Sequence, residues 1–294
     1  MTFANNALDR HYHHNFDKFP GSFSLISPSE NVSRAVIFVH GFGGDACETW
    51  SDFHSLIDDL EEIEKWSAAT DFFFFDYRAV WERIDSSVER VLTFIRAIIP
   101  TPDSRLFRID INPVLADQVL GGSFVSALPA ERSYEKAILI GHSEGAVVLR
   151  KAILEAHAEG RSLSWGMSIL GARLTLFSPA LFGYMPTGLL GILATFPGIG
   201  AVINSVLNAS AAYQDLNDLH MLLAPLQQDT EKLAESTTYQ AFRAHILWSR
   251  EDHIVKQGRY KCDTREFVDG RTHITICKPD RDYTLPLIIV SMEH

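Results

Sequence analysis

The chain has 294 residues, of which 46% are hydrophobic and 21% charged, and its formal net charge at pH 7 is −11. This length suits one large α/β domain or two small ones with buried cores, and the composition excludes a largely disordered chain. A strongly negative protein is repelled by the phosphate backbone of nucleic acids and by anionic lipid. We therefore expect no nucleic-acid partner.

The three cysteines, Cys47, Cys262 and Cys277, are far apart in sequence and form no Cys-x-x-Cys pair. They indicate neither a zinc site nor a disulfide framework. The N-terminus lacks a basic segment followed by an apolar one, so we expect no secretory signal and a cytoplasmic location. Residues 11–14 read His-Tyr-His-His, which predicts a solvated tail, with a metal site as the alternative.

Apolar runs rich in β-branched and aromatic residues alternate with helical stretches, which predicts a parallel sheet covered by helices. The predicted strands are 34–40, 71–77, 136–142, 173–178, 244–249 and 272–276. The predicted helices are 45–65, 84–99, 144–159 and a short C-terminal helix over 282–292. Residues 101–133 are less regular and predict a loop with a short helix near 113–120.

The run Gly141-His142-Ser143-Glu144-Gly145 joins the third predicted strand directly to a helix. A serine hydroxyl is a poor nucleophile unless a base removes its proton, so it must stand exposed and be held in place. A sharp strand-to-helix turn holds it, and glycines two residues before and after the serine prevent a collision in that turn. The motif predicts Ser143 as a nucleophile, and the alternative is a serine that only caps the helix.

A glycine-rich run, His40-Gly41-Phe42-Gly43-Gly44, follows the first predicted strand. An oxyanion needs preorganised backbone N–H donors. One such donor comes from a loop of this kind, and a second comes from the residue after the nucleophile. We therefore predict that the amides of Phe42 and Glu144 form an oxyanion hole, with an ordinary glycine-rich loop as the alternative. His40 precedes the serine and is predicted to support the loop.

The acid and the base of such a site follow the serine in the order acid, then histidine. Asp252 follows the fifth predicted strand and His273 comes later, both near strand ends, where the sites of open α/β sheets gather. We predict Asp252 as the acid and His273 as the base. Glu251 is an alternative acid. His253 is a weaker alternative base because it adjoins the acid, and His245 lies inside a strand and is predicted to pack in the core.

Residues 174–214 contain no Asp, Glu, Lys or Arg, and polar helix-prone sequence returns over 215–235. We predict a helical lid over about 181–235, with an apolar face that binds an acyl chain. One alternative is an interfacial hairpin over 181–206 in weak contact with a membrane surface. Another is a helical hairpin with no role in substrate choice. Pro186, Pro197 and the lack of basic flanks argue against a membrane-spanning helix.

Together these motifs resemble those of the α/β-hydrolase superfamily, in its lipase-like and esterase-like branch. The resemblance covers residues 34–294 and rests on the segments 40–44, 76–78, 141–145, 252–255 and 273–279, with a short match over 212–216. It implies a mostly parallel twisted sheet flanked by helices, in one domain over residues 1–294. The core of that domain would be residues 22–180 and 240–294, and the helical cap residues 181–239.

The resemblance also implies that Ser143, Asp252 and His273 form a catalytic triad that cleaves esters through an acyl-enzyme, without metal or organic cofactor. We expect a small-molecule or lipid-like ester with an apolar part. The alternatives are a thioester or amide substrate, and a catalytically silent binding or scaffold protein. Two features depart from the family. Glu144 stands where many relatives have an apolar residue or glutamine, and the short N-terminal part predicts a sheet truncated at one edge.

Overall fold

The computed structural model describes residues 11–103, 132–160, 163–185 and 219–292. Within them lie eight strands: β1 (Tyr12–Asn15), β2 (Phe23–Ile26), β3 (Arg34–Val39), β4 (Thr70–Phe75), β5 (Lys136–His142), β6 (Arg173–Phe177), β7 (Ala244–Ser249) and β8 (Thr264–Val268). They form one sheet in the order β1-β2-β4-β3-β5-β6-β7-β8. β1 and β2 run antiparallel to each other, and β2 runs antiparallel to β4. The other five pairs are parallel: β4 with β3, β3 with β5, β5 with β6, β6 with β7, and β7 with β8.

The helices are α1 (Phe53–Leu56), α2 (Glu64–Ala68), α3 (Ile84–Ile98), α4 (Glu144–Gly160), α5 (Ser164–Leu170), α6 (Leu219–Ser236) and α7 (Leu285–Ser291), with short 3₁₀ turns at Glu61–Ile63 and Gln240–Phe242. They cover both faces of the sheet. Alternate residues of β3 show this: Ile37 belongs to the apolar cluster with α3, α4, α5 and α6, and Phe38 to the cluster with α1 and α7. Both are fully buried, as a central parallel strand requires.

The register of the parallel strands gathers their carboxyl ends at one edge of the sheet. Val39 of β3 lies opposite Phe75 of β4 and Gly141 of β5. Phe177 of β6 lies opposite His142 and Leu247. The loops that leave these strands therefore start from adjacent points, which is where open α/β sheets build their sites.

The predicted helix over 45–65 is wrong as a single element. Residues 45–52 form turns, in which Ser51 has a positive φ of 46° that an α-helix does not accept. A second interruption comes at Leu60, whose φ of −98° and ψ of 114° are extended. The apolar spacing that predicted one long helix instead places Trp50, Phe53 and Ile63 against the same face of the sheet from three short segments.

The predicted strand over 272–276 is also wrong, because this segment forms a turn and the eighth strand is β8. The backbone amides of this turn form hydrogen bonds within the turn itself. The amide of Thr272 donates to Thr275 Oγ1 at 2.9 Å, and the amide of Thr275 donates to Thr272 Oγ1 at 3.4 Å. The amide of Ile276 donates to the main-chain oxygen of Thr272 at 3.0 Å. Such local bonds compete with strand pairing, although β-branched residues favour strands.

The prediction of a truncated sheet edge is corrected by β1 and β2, which are only four residues long but complete that edge. The predicted solvated tail over 11–14 is wrong for the same reason. His14 is buried, and the side chain of His11 lies 2.6 Å from Asp58 and 3.0 Å from the main-chain oxygen of Thr70. The alternative of a metal site finds no support, since no cluster of three or more potential ligands occurs in the described ranges.

The other predicted strands and helices lie within a few residues of their observed bounds. The predicted short helix near 113–120 and the middle of the predicted cap, residues 186–218, lie outside the described residues. The last part of the predicted cap is α6, whose Leu223, Leu226 and Ala234 are buried in the main apolar cluster. In the ranges that the structure describes, no helix is both long and apolar enough to cross a bilayer. The division into core and cap stays a prediction.

Candidate active site

Ser143 sits between the last residue of β5 and the first residue of α4, with a positive φ of 53°. A positive φ is strained for a residue other than glycine and persists only where the surrounding structure holds the backbone in place. Two glycines allow neighbouring segments to approach closely enough to hold it. A Cβ on Gly145 would lie 2.3 Å from the main-chain oxygens of Val39 and His40. A Cβ on Gly41 would lie 2.5 Å from the Cβ of Ser143. The glycine-rich loop therefore packs directly against the serine.

Three of the predicted site residues lie in one hydrogen-bonded row. His273 Nε2 lies 3.0 Å from Ser143 Oγ, and His273 Nδ1 lies 2.8 Å from Asp252 Oδ2. All three are buried, with Ser143 and His273 each 2% exposed and Asp252 8%. Ser143 is thus less exposed than we expected for a nucleophile in this turn, and its oxygen lies within hydrogen-bond distance of the His273 and Tyr184 side chains. A nucleophile, a base and an orienting acid have this order of contacts.

The structure separates the alternative acid and bases from the serine. Glu251 is exposed, and its amide donates to Ser249 Oγ at 3.2 Å. His253 is exposed on the same loop. His245 lies in β7 with its Nε2 3.3 Å from Glu266 on the neighbouring strand. Of these histidines and carboxylates, only His273 and Asp252 have a contact that leads to Ser143 Oγ.

The loop after β7 holds Asp252 in its ionised form. Burial by itself raises the pKa of this carboxyl group. The hydrogen bond and charge of His273, with the amide of Ile254, outweigh burial and bring the pKa of Asp252 below its usual value. Oδ1 accepts from the amides of Ile254 at 2.9 Å and Val255 at 3.2 Å, which leaves Oδ2 for the histidine. An ionised Asp252 fixes the tautomer of His273 with hydrogen on Nδ1.

The loop of residues 40–44 is supported by His40 and Tyr77. His40 Nδ1 lies 2.9 Å from the oxygen of Gly41, and the Tyr77 amide donates to His40 Nε2 at 3.3 Å. The Tyr77 ring stacks on His40 with centroids 4.5 Å apart, and its hydroxyl donates to the His40 oxygen at 2.9 Å. This arrangement agrees with the predicted supporting role of His40. Phe42 is buried in this loop, next to the glycine that touches Ser143.

Glu144 begins α4, so its amide is in the first turn of the helix, where N–H groups point out of the helix end and favour negative charge. Its side chain is fully buried, with Oε1 3.5 Å from the Tyr77 hydroxyl. The amides of Phe42 and Glu144 thus come from the two segments that meet at Ser143. Their role as an oxyanion hole stays a prediction.

Sequence reasoning missed two contacts of the site. His142 Nε2 lies 2.8 Å from the main-chain oxygen of His273, and the Tyr184 hydroxyl lies 3.3 Å from Ser143 Oγ. Burial and the adjacent His273 lower the pKa of His142 to about 3, so its ring is neutral near pH 7. His142 was visible as part of the serine motif, whereas nothing in the sequence singled out Tyr184.

No protein-family model matches the chain, and no curated protein matches it in sequence. Solved structures do match. The mature lipase BlEst2 of Bacillus licheniformis is 13% identical, with a TM-score of 0.50 over 92% of this chain and 98% of that chain. The 2-hydroxy-6-oxo-6-phenylhexa-2,4-dienoate hydrolase of Rhodococcus sp. strain RHA1 is 14% identical, with a TM-score of 0.47 over 92% and 94%. The monoacylglycerol lipase of Paleococcus ferrophilus is 13% identical, with a TM-score of 0.45 over 87% and 92%.

The chain has the α/β-hydrolase fold. The eight strands within the described residues form a sheet that is parallel from β4 to β8 and covered on both faces by helices, which agrees with the likeness to the Bacillus licheniformis lipase. The resemblance in the sequence is thereby confirmed at the level of the fold. Proteins that share a fold have many different activities, because the activity depends on the residues of the site.

Proposed function

We propose that this protein is a serine hydrolase that cleaves carboxylic esters through an acyl-enzyme on Ser143. The observation that carries the proposal is the continuous row from Asp252 Oδ2 through His273 to Ser143 Oγ, with steps of 2.8 and 3.0 Å. The strained backbone of Ser143 supports it, because a nucleophile at a strand-to-helix turn has this conformation. The two glycine contacts that keep the turn tight support it as well.

In the first half of the proposed reaction, Ser143 Oγ attacks the carbonyl carbon of the ester while its proton moves to His273 Nε2. The negative charge that forms on the carbonyl oxygen is stabilised by the amides of Phe42 and Glu144. Asp252 keeps hydrogen on Nδ1 and stabilises the imidazolium that results. When the tetrahedral intermediate collapses, the ester C–O bond breaks and Nε2 protonates the departing alcohol.

In the second half, a water molecule attacks the acyl carbon and gives a proton to His273 Nε2. The bond between that carbon and Ser143 Oγ then breaks. Its electron pair returns to Oγ, which takes the proton back from Nε2, and a carboxylic acid leaves. Every proton in this cycle passes through His273 Nε2. Its distance of 3.0 Å from Ser143 Oγ is therefore the distance on which the proposed proton transfers depend.

We propose esters with an apolar acyl or alcohol part as substrates. Met185 follows Tyr184 and Ile274 follows His273, two residues that contact Ser143 Oγ. Both are apolar, and their exposed fractions are 40% and 37%. Residues 174–214 carry no charge that could bind an ionic substrate. The structural neighbours include a lipase and a monoacylglycerol lipase by name. Weak contact of residues 181–206 with a membrane surface, where such esters are found, belongs to the same proposal.

A chain-length series of 4-nitrophenyl esters and acyl thioesters tests this proposal. We expect the native protein to hydrolyse the esters, and Ser143→Ala to lose at least about 10⁴-fold in kcat, because the members of a triad act as a unit. Ser133→Ala, at an exposed serine away from the site, is the matched control and should keep full activity. Ester hydrolysis that survives Ser143→Ala would overturn the proposal, and faster turnover of thioesters would change the substrate class.

A further inference from the structure

The side chain of Tyr184 brings a second hydroxyl group within hydrogen-bond distance of Ser143 Oγ, in addition to the contact with His273. The Tyr184 hydroxyl lies 3.3 Å from Ser143 Oγ, and Tyr184 is 8% exposed. The residue lies beyond the end of β6, at the start of the segment where the sequence predicts a lid. It is not one of the residues assigned above to the nucleophile, the base, the acid or the oxyanion hole.

The backbone around Tyr184 is fixed on two sides. One side is tied to the serine itself, and the other is tied to the loop that carries the acid. The bonds run from Ala180 N to Ser143 O (3.0 Å), from Lys256 N to Gly183 O (2.8 Å) and from Met185 N to Ile254 O (2.7 Å). Tyr184 also pairs with Val255 in an isolated antiparallel bridge. The hydroxyl is therefore held at Oγ by the same segments that hold the serine and Asp252.

The direction of the hydrogen bond follows from the row of contacts. Asp252 is an acceptor, so His273 donates from Nδ1 and presents Nε2 as an acceptor. Ser143 must donate its one hydrogen to Nε2 if His273 is to act as its base. Ser143 Oγ can then only accept from Tyr184. Burial, with the Glu144 side chain nearby, raises the pKa of the Tyr184 phenol well above its usual value, so its hydrogen is present at neutral pH.

We infer that Tyr184 is a catalytic hydrogen-bond donor to the serine oxygen. The inference rests on the proposed function. In the acylation step Oγ carries negative charge as its proton leaves for His273. In the deacylation step Oγ receives the electron pair of the breaking C–O bond. A phenol 3.3 Å from Oγ stabilises that charge in both steps without giving up its own proton. The contact is with the nucleophile, so its effect does not depend on which alcohol the ester releases.

Tyr184→Phe removes only the hydroxyl and tests the inference directly. We expect kcat to fall by about 10- to 100-fold, the effect of losing one hydrogen bond to a developing charge, with KM changed less than about twofold. The fall should be the same for a 4-nitrophenyl ester and a methyl ester of one acyl chain. Tyr260→Phe makes the same chemical change at a fully buried tyrosine that lies against Arg150, and it should leave kcat unchanged.

Thermal unfolding of the two variants separates a chemical effect from a folding defect, and we expect both to melt within a few degrees of the native protein. Equal kcat for Tyr184→Phe and the native enzyme would overturn the inference alone. So would a loss confined to the methyl ester, because the hydroxyl would then act on the leaving alcohol. Absence of any Ser143-dependent hydrolysis by the native protein would overturn the proposed function and this inference together.

Discussion

His142 and His273 are joined by a hydrogen bond between a side chain and a main chain, in which the neutral ring of His142 donates its Nε2–H to the oxygen of His273 across 2.8 Å. The residue before the serine thus holds the backbone of the proposed base. The centroids of the two histidine rings are 4.9 Å apart, and the rings of Trp50 and His142 form a T-shaped pair with centroids 6.5 Å apart. The bond joins the turn after β8 to the end of β5, next to Ser143, and we expect it to fix the distance between His273 Nε2 and Ser143 Oγ.

His142→Ala should lower kcat by about 10-fold and reduce the free energy of unfolding by about 1–3 kcal/mol, because a buried carbonyl loses its donor. Steady-state kinetics and urea unfolding measure the two effects. His253→Ala, at an exposed histidine on the acid loop, is the control and should change neither. An unaltered kcat in His142→Ala would show that the turn holds His273 without this bond.

Asp252→Asn should lower kcat by roughly 10³–10⁴-fold, because an amide no longer selects the tautomer of His273 that presents a bare Nε2 to the serine. Glu251→Gln makes the same change from carboxylate to amide one residue away, on an exposed side chain, and should keep the native kcat. A reversed result in these two variants would identify Glu251 as the acid. The measurement is kcat with a 4-nitrophenyl ester near neutral pH.

Glu144→Gln should leave kcat/KM unchanged or raise it severalfold. The Glu144 side chain is fully buried, and we expect the oxyanion to form near it, where a carboxylate opposes new negative charge and an amide does not. The backbone amide is kept, and the amide of glutamine can donate to the oxygen of Tyr77. Kinetics on a 4-nitrophenyl ester decide the point. A fall of tenfold or more would mean that the Glu144 carboxylate takes part in the reaction.

The ion pair of His11 and Asp58 predicts a pH dependence of stability. Burial lowers the pKa of His11, but the hydrogen bond and charge of Asp58, with the Thr70 oxygen, outweigh it and leave the pKa raised. A raised histidine pKa adds stability that is complete below its unfolded value, the usual 6.5, and is lost as pH rises through the folded value. The pair should therefore stabilise the protein most in mild acid.

Urea unfolding of the native protein and Asp58→Asn between pH 5.5 and 8.5 measures this contribution. The difference in the free energy of unfolding should be largest below pH 6.5 and should shrink above it. Asp17→Asn, at an exposed aspartate near β1, should give a small difference that is constant with pH. A difference that grows with rising pH would contradict the assignment.

The central strands could be predicted because each is buried on both faces and therefore reads as a continuous apolar run, as β3 and β5 do. The edge strands could not be predicted in this way. β1 is four residues long and contains two histidines, and β8 reads Thr-Arg-Glu-Phe-Val with its first three residues exposed. An edge strand needs little burial, so its sequence carries little of the apolar pattern.

Ser143, Asp252 and His273 were predicted from their order along the chain and from glycine spacing, both of which a sequence displays directly. Tyr184 was missed because its contact with Ser143 arises only when the end of β6 and the acid loop fold against the serine turn. The long helix predicted over 45–65 failed for a related reason. Its apolar residues do face one core, but they reach it from separate short segments.

Reaction of the protein with a fluorophosphonate, followed by intact-mass and peptide mass spectrometry, tests most directly whether Ser143 is the nucleophile. We expect one adduct per chain, on Ser143, formed rapidly in the native protein and slowly in Asp252→Asn. Ser143→Ala should form none, whereas Ser133→Ala should react as the native protein does. A folded native protein that forms no adduct, or an adduct that persists in Ser143→Ala, would contradict the assignment of Ser143 as the nucleophile.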